Sequence, residues 1–142
     1  MNEYQPVHYT ESLAGIDASQ LAGGFFIGWP NPPSPETHRR LLQGSSHVVL
    51  AIDERTADVV GFATAISDGV LSAYIPLLEV LPEYQHQGIG QELMRRMIAA
   101  LRSLYMVDLL CDPELQPFYE QTGMRRAVGM LIRNFDRQHG SN

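Results

Sequence analysis

A single cysteine, Cys111, in 142 residues excludes an intramolecular disulfide, and five scattered histidines lack the spacing of a metal-binding motif. No structural metal is expected. Positive charge is also scarce: 10 basic against 16 acidic side chains leave a net charge of −6, which repels nucleic acid and favours cationic partners. The arginines fall in pairs (Arg39-Arg40, Arg95-Arg96, Arg125-Arg126) rather than in a stripe, and read as solvated faces. Apolar runs are too short to cross a membrane, and the amino terminus lacks a basic segment leading into an apolar one. Neither a membrane partner nor a secretory leader is expected, and a cytoplasmic location follows by default. What is present, 44% hydrophobic and 18% charged residues, suits one soluble globular domain over residues 1–142.

The chain is organised around Tyr74 to Leu101. A β-forming apolar run from Tyr74 to Leu81 stops at Pro82, and an amphipathic helical run begins around Gly88. This is a strand, a short loop and a helix. The first N–H groups of such a helix lack intrahelical partners and lie at the positive end of its dipole, so Gln85 to Gly90, with two glycines, can cradle an anion. The glycines alone do not decide the ligand. A dinucleotide fingerprint needs a third glycine where Leu93 stands, although Asp108 lies about 20 residues on, and a nucleotide P-loop needs a lysine that does not follow.

The wider pattern is more specific. Val80-x-Pro82-x-x-Gln85-x-x-Gly88-x-Gly90, an amphipathic helix, and then Pro117-Phe118-Tyr119-Glu120-Gln121-Thr122-Gly123-Met124 resemble the acetyl-CoA-binding core of GNAT-type N-acetyltransferases over roughly Val48 to Arg133. The resemblance implies an α/β (α+β) fold: a mixed, mostly antiparallel twisted sheet of six or seven strands, helices on both faces, and a splay between strands 4 and 5. It assigns residues 1–45 to the acceptor side and 46–134 to the acetyl-CoA-binding core. By the same resemblance Leu78, Glu79, Val80, Gln85, His86, Gln87, Gly88, Ile89, Gly90, Gln91 and Phe118 hold the cofactor, and Phe25, Phe26, Trp29 and Tyr74 line the acceptor site. Dimerisation is common among relatives, but no stretch of the sequence identifies an interface.

Taken in order, Gln5 to Tyr9 reads as a first strand and Asp17 to Ala22 as a short helix stopped by Gly23-Gly24. The proline-broken loop FFIGWPNPPSPE follows, then a helix capped by Ser34 with Pro35 first, ending at Gly44. His47 to Asp53 and Val59 to Ser67 pair as a hairpin, and Asp68-Gly69 turns into the central strand. Ile89, Leu93, Met97 and Leu101 mark the buried face of the next helix. Tyr105 to Cys111 reads as a fifth strand, Pro113 to Gln121 as a helix, Gly123 as its cap and Met124 to Asn134 as a last strand.

Acetyl transfer to an amine requires a neutral nucleophile, oxyanion stabilisation and a proton for the thiolate. Tyr119 matches the tyrosine that serves as general acid in the family's second motif, and a hydroxyl of pKa about 10 is protonated at neutral pH. The resemblance further implies that main chain at Leu78 to Val80, the positions matching the family's splayed strand with its usual bulge, meets the oxyanion and pantetheine. The base is less legible. Tyr74 stands where some relatives carry glutamate, and Glu79 has opposite strand parity unless a bulge intervenes, so it reads as solvent-facing. Cys111 reads as core, which leaves direct transfer in a ternary complex. Asp112 stands where many relatives carry asparagine, and reads as a helix cap. The expected activity is transfer from acetyl-CoA to a small-molecule or protein amine; the rival, favoured by the missing base, is an acetyl-CoA sensor acting on a protein partner.

Overall fold

A computed structural model describes residues 6–141. Local chemistry sets its elements. After β1 (Val7–Thr10), the Asp17 carboxylate accepts from Ser19 N–H and Gln20 Oε1 accepts from Asp17 N–H, which caps a 3-10 turn at Ala18–Leu21. Ser34 caps α1 (Pro35–Gly44), its hydroxyl accepting from Thr37 N–H at 3.1 Å. Then β2 (His47–Asp53), β3 (Val59–Ser67) and β4 (Ser72–Val80) form an antiparallel meander. The Asp68 carboxylate closes the last turn by accepting from the N–H groups of Leu71, Val70 and Ser72, which holds its pKa down to about 2. Next, α2 (Ile89–Ala100) crosses to β5 (Met106–Asp108), which runs parallel to β4, and α3 (Gln116–Glu120) follows. The strand order is β1-β2-β3-β4-β5. No helix among the described residues is long and apolar enough to cross a membrane.

Helices cover both faces of the sheet. On one, Ile89, Leu93, Met94, Met97 and Leu101 pack on Val49, Ala51, Ala63 and Ile75. Each large side chain so buried contributes roughly 1.5–3 kcal/mol, so packing, more than propensity, holds α2 in place. Gly61 of β3 sets how closely it approaches: a methyl group there would lie 3.1 Å from Leu93 Cδ1 and 3.3 Å from Ile89 Cγ2. Leu42 of α1, with Leu21 and Phe26, seals the other face over Val48, Leu50, Ile52 and Phe62. The loop leading to α2 is pinned where the Tyr84 hydroxyl donates to the buried Asp53 carboxylate at 2.6 Å.

Three expectations need correction. Among the described residues the sheet has five strands, not six or seven, because Met124–Asn134 forms none: from Arg125 to Arg133 no main-chain hydrogen bond is made among those residues, and Arg125 to Arg137 are all exposed. A strand needs a neighbour, and within one copy this segment finds none. The fifth strand is three residues long, because it leaves β4 after Asp108. Cys111 is half-buried rather than core, since it lies beyond that departure. Of the expected first strand, Gln5 lies outside the described residues.

His38 of α1 is 1% exposed and ringed by Phe25, Phe26 and Phe62, with centroid distances of 5.3, 5.0 and 4.4 Å. Burial lowers its pKa to about 4, and its Nε2 has no hydrogen-bond partner. Between pH 6.5 and 4 the unfolded chain therefore binds a proton at His38 that the folded chain refuses, so stability falls as pH falls through that window. Over the whole window the loss is on the order of 3 kcal/mol. Urea unfolding at pH 7 and pH 4.5 is expected to show this slope, and His38→Leu to flatten it; an unchanged slope in the variant would assign the proton uptake elsewhere.

Candidate functional site

β4 pairs with β5 only from Ser72 to Tyr74, after which the two strands diverge and leave a cleft. The ladder with β3 dictates which groups face it. Leu81 N–H donates to Val60 C=O at 2.8 Å, and residues of an antiparallel pair alternate between bonding their neighbour and facing away. Leu78 and Val80 thus turn their N–H and C=O groups into the cleft, whereas Leu77 and Glu79 spend theirs on β3.

The N-terminus of α2 stands at the mouth of the cleft. Gly88 is left-handed at φ 84°, a conformation that costs any other L-residue about 1–2 kcal/mol. Its carbonyl accepts the first helical bond, from Glu92 N–H, so the N–H groups of Ile89, Gly90 and Gln91 have no partner within the helix. A Cβ on Gly90 would lie 3.5 Å from Phe118 Cζ and 3.8 Å from Val80 Cγ2, so the cradle, the strand end and α3 meet at this residue. Gln85 Nε2 donates back to Val80 C=O at 3.0 Å, and Gln91 Nε2 ties α2 to Gln121 at 2.9 Å. His86, at φ 64°, and Gln87 form the exposed turn between them. Leu78, Val80, Gln85 to Gln91 and Phe118 therefore come together.

Tyr119 packs edge-on to Phe118 at 4.9 Å and joins the core on the α2 face. Burial, and secondarily the neighbouring Cys111, push its pKa up to about 12, so its hydroxyl keeps its proton throughout the physiological range.

Glu79 is the main surprise, since it does not face solvent. Thr64 pairs with Leu77 and Ile66 with Tyr74, so β4 carries one extra residue at Ile75-Pro76 opposite Ala65. This bulge resets the parity and puts Tyr74, Leu77 and Glu79 on the α1 face. Glu79 Oε1 accepts from Phe26 N–H at 2.8 Å, and burial raises its pKa. Its side chain is thereby taken away from the cofactor cleft and toward the acceptor loop. The bulge expected at Leu78–Val80 lies further back, and its signal was Pro76, a residue that sheets admit at bulges and edges.

The loop residues divide. Phe25 turns inward, edge-on to Phe62 at 5.1 Å, while Phe26 and Trp29 line a cavity of about 320 Å³ with Thr37, Arg40, Leu77 and Gln138. Phe26 is held at φ 66° by its bond to Glu79. Tyr74 stands at the far end of β4, 37% exposed. Gln138 could not be found from the sequence; only the fold returns the tail to Asn31, whose N–H donates to Gln138 Oε1 at 2.9 Å. Asp112 caps nothing with its side chain.

Comparison with known proteins places this architecture. Residues 17–124 match the model of the acetyltransferase (GNAT) family. An uncharacterized N-acetyltransferase ycf52 from Gracilaria tenuistipitata var. liui is 36% identical over 127 residues, covering 86% of this chain and 63% of that protein. Serotonin N-acetyltransferase 2, chloroplastic, from Oryza sativa subsp. japonica is 32% identical over 118 residues, 79% of this chain and 58% of that one. The chain thus spans about three fifths of the length of these curated relatives. A crystal structure from Deinococcus radiodurans R1, provisionally assigned as an acetyltransferase, superposes with a TM-score of 0.91 at 47% identity, covering 96% and 94% of the two chains.

The Glu79–Phe26 bond makes a local prediction. Glu79→Leu is expected to raise hydrogen exchange at the Phe26 amide at least tenfold with the sheet amides unchanged, whereas Glu79→Gln, which keeps an acceptor oxygen, retains the protection. Equal exchange in both variants would mean that packing alone holds the loop.

Proposed function

The chain belongs to the GNAT acetyltransferase family, and from that premise we propose that it transfers an acetyl group from acetyl-CoA to a primary amine by direct attack with both substrates bound. One observation carries the reading: the bulged β4 turns the main chain of Leu78 and the N–H of Val80 toward the cleft and the Glu79 carboxylate toward the acceptor side, while Val80 C=O accepts from Gln85. The name of the rice relative, which specifies an amine acceptor, supports the acceptor class. A cavity of about 320 Å³ beside Phe26 and Leu77 lies on the same side of β4 as Glu79.

The residues fit the donor. The N–H groups of Ile89, Gly90 and Gln91 offer three donors and a helix dipole to a pyrophosphate, without help from a charged side chain at Gln85. Gly90 lies against Phe118 and Val80, where a Cβ would make ordinary van der Waals contact at 3.5 and 3.8 Å. Leu78 and Val80 present main-chain groups to an extended amide-bearing arm. When bound, acetyl-CoA supplies the thioester. Tyr119 donates its proton to the departing sulfur, and its buried hydroxyl, with a pKa pushed up to about 12, carries that proton at neutral pH. Glu79 takes the proton of the attacking amine. An alkylammonium of pKa about 10.4 is neutral only to roughly one part in a thousand near pH 7.4, so such an acceptor is required. The sensor reading rested on the want of a base, and Glu79 weakens it.

The test is thiol release from acetyl-CoA across a panel of amines, polyamines, amino acids and peptides, beside calorimetry with acetyl-CoA alone. Turnover is expected with a small amine, and tight binding without turnover on any acceptor would overturn the reading in favour of the sensor. Tyr119→Phe is expected to lower kcat by about 10²-fold with acetyl-CoA affinity unchanged. The wild-type rate should show no alkaline loss near pH 10, since Tyr119 holds its proton to about 12. Gly88→Glu is expected to abolish acetyl-CoA binding, and unchanged affinity would remove the cradle from the site.

A further inference from the structure

The cavity of about 320 Å³ on the acceptor side has a one-sided chemistry. Phe26, Trp29, Leu41 and Leu77 give it an apolar wall, with the Phe26 and Trp29 rings 4.9 Å apart. Of the residues that line it only Arg40 carries a charge, and no carboxylate is among them, in a chain of net charge −6. Arg40 makes no ion pair or hydrogen bond among the described residues, and Glu36, four positions earlier on α1, is not its partner. Its neighbour Arg39 is spent elsewhere, donating to Ile16 C=O at 2.8 Å. Gln138, also in the lining, accepts from Asn31 N–H through Oε1 at 2.9 Å, and its amide nitrogen makes no bond among the described residues. The unspent polar groups are therefore a guanidinium and an amide N–H₂, both donors.

The cavity continues the acceptor side of β4. Leu77 lies two residues from Glu79 on the same face, and Phe26, whose N–H donates to the Glu79 carboxylate at 2.8 Å, turns its ring into the wall. An amine that faces Glu79 thus has its body over these residues, in a space that Arg40 also bounds. We propose that the acetyl acceptor is an amine carrying a carboxylate on an apolar body, with Phe26, Trp29 and Leu77 packing the body and the Arg40 guanidinium holding the carboxylate. The fate of the amine rests on the acetyl-transfer reading; the rest of the molecule is read from the cavity.

Charge and shape select this ligand. A guanidinium presents parallel N–H donors that match the two oxygens of a carboxylate, and the Gln138 amide adds a neutral donor in the same lining. A polyamine fits poorly, since its second ammonium would be set against Arg40 with no carboxylate in the lining to receive it. The net charge of −6 attracts cations to the protein as a whole, so the selection at the cavity is local and runs against the overall field.

Binding can be read without turnover, which separates this proposal from the acetyl-transfer reading. Trp29 is the sole tryptophan of the chain and stands in the cavity wall, so its fluorescence reports occupancy. Two matched pairs, benzylamine with para-aminomethylbenzoate and phenethylamine with phenylalanine, are titrated against the whole chain by Trp29 fluorescence and by calorimetry, with CoA absent and present. In at least one pair the carboxylate-bearing member is expected to bind about tenfold tighter. Arg40→Gln is expected to erase that difference and Arg40→Lys to keep part of it, while Arg102→Gln, which removes the same charge beyond the end of α2, keeps all of it. Arg40 is exposed and unpartnered, so its substitution does not put the fold at risk. Equal affinity within both pairs, tighter binding of the members without a carboxylate, or a preference that survives Arg40→Gln would each overturn the proposal. With acetyl-CoA the same preference is expected in KM; preferential binding without turnover of any of the four amines would support the cavity assignment and overturn the acetyl-transfer reading.

Discussion

Beyond Tyr74, β4 and β5 stop sharing ladder hydrogen bonds, and the candidate site depends on that separation. A sheet that opens leaves main-chain donors and acceptors to be satisfied by water or by a ligand, at about 1–3 kcal/mol for each one left buried and unpaired. The opening persists because both sides are held by other contacts. From Leu77 to Val80, β4 stays paired with β3, through Thr64, Ala63, Phe62 and Gly61. On the far side Phe118, Tyr119 and Met124 pack into the same core as α2. With the strand and the segment opposite it held in this way, Leu78 turns its main-chain groups, and Val80 its N–H, toward the cleft, while Val80 C=O accepts from Gln85.

Much of this was legible in the sequence because local chemistry decides it. Asp17, Ser34, Asp68 and Gly88 each set a boundary through a cap or a left-handed turn, and the intervals of four from Ile89 to Leu101 mark the buried face of α2. The long-range features were harder to read. The length of β5 is set by where β4 leaves it, a matter of tertiary packing, and Met124–Asn134 has strand-like alternation without the neighbour that makes a strand. Glu79 reads as solvent-facing only while parity along β4 is unbroken, and Pro76, which cannot donate to a ladder, marks the break. Nothing local links Gln138 to the acceptor loop, because that contact spans 107 residues.

Burial does opposite things to the ionisable groups around the site, to the same end. It raises the pKa of Tyr119 and also that of Glu79, in each case by penalising the charged form. For the tyrosine this extends the protonated form to alkaline pH. For the glutamate it strengthens the proton affinity of a carboxylate that would otherwise be a weak base. At His38 burial favours the neutral ring as well, but there the form it removes is the cation, so the aromatic wall behind Phe26 stays uncharged near neutral pH.

The bulge at Ile75-Pro76 joins these features. Without the extra residue, Glu79 would share its side-chain direction with Ala73 and Ile75 and point into the apolar packing under α2. With it, Ile75 still fills that core, while Leu77 and Glu79 pass to the α1 face, where Phe26 N–H receives the carboxylate. The same residue count leaves Leu78 and Val80 with side chains toward α2 and main chain toward the cleft. One inserted residue thereby sets the carboxylate and the free main-chain groups on consecutive residues of a single rigid strand. That spacing does not depend on how any loop moves, and it suits a reaction in which two bound molecules must meet.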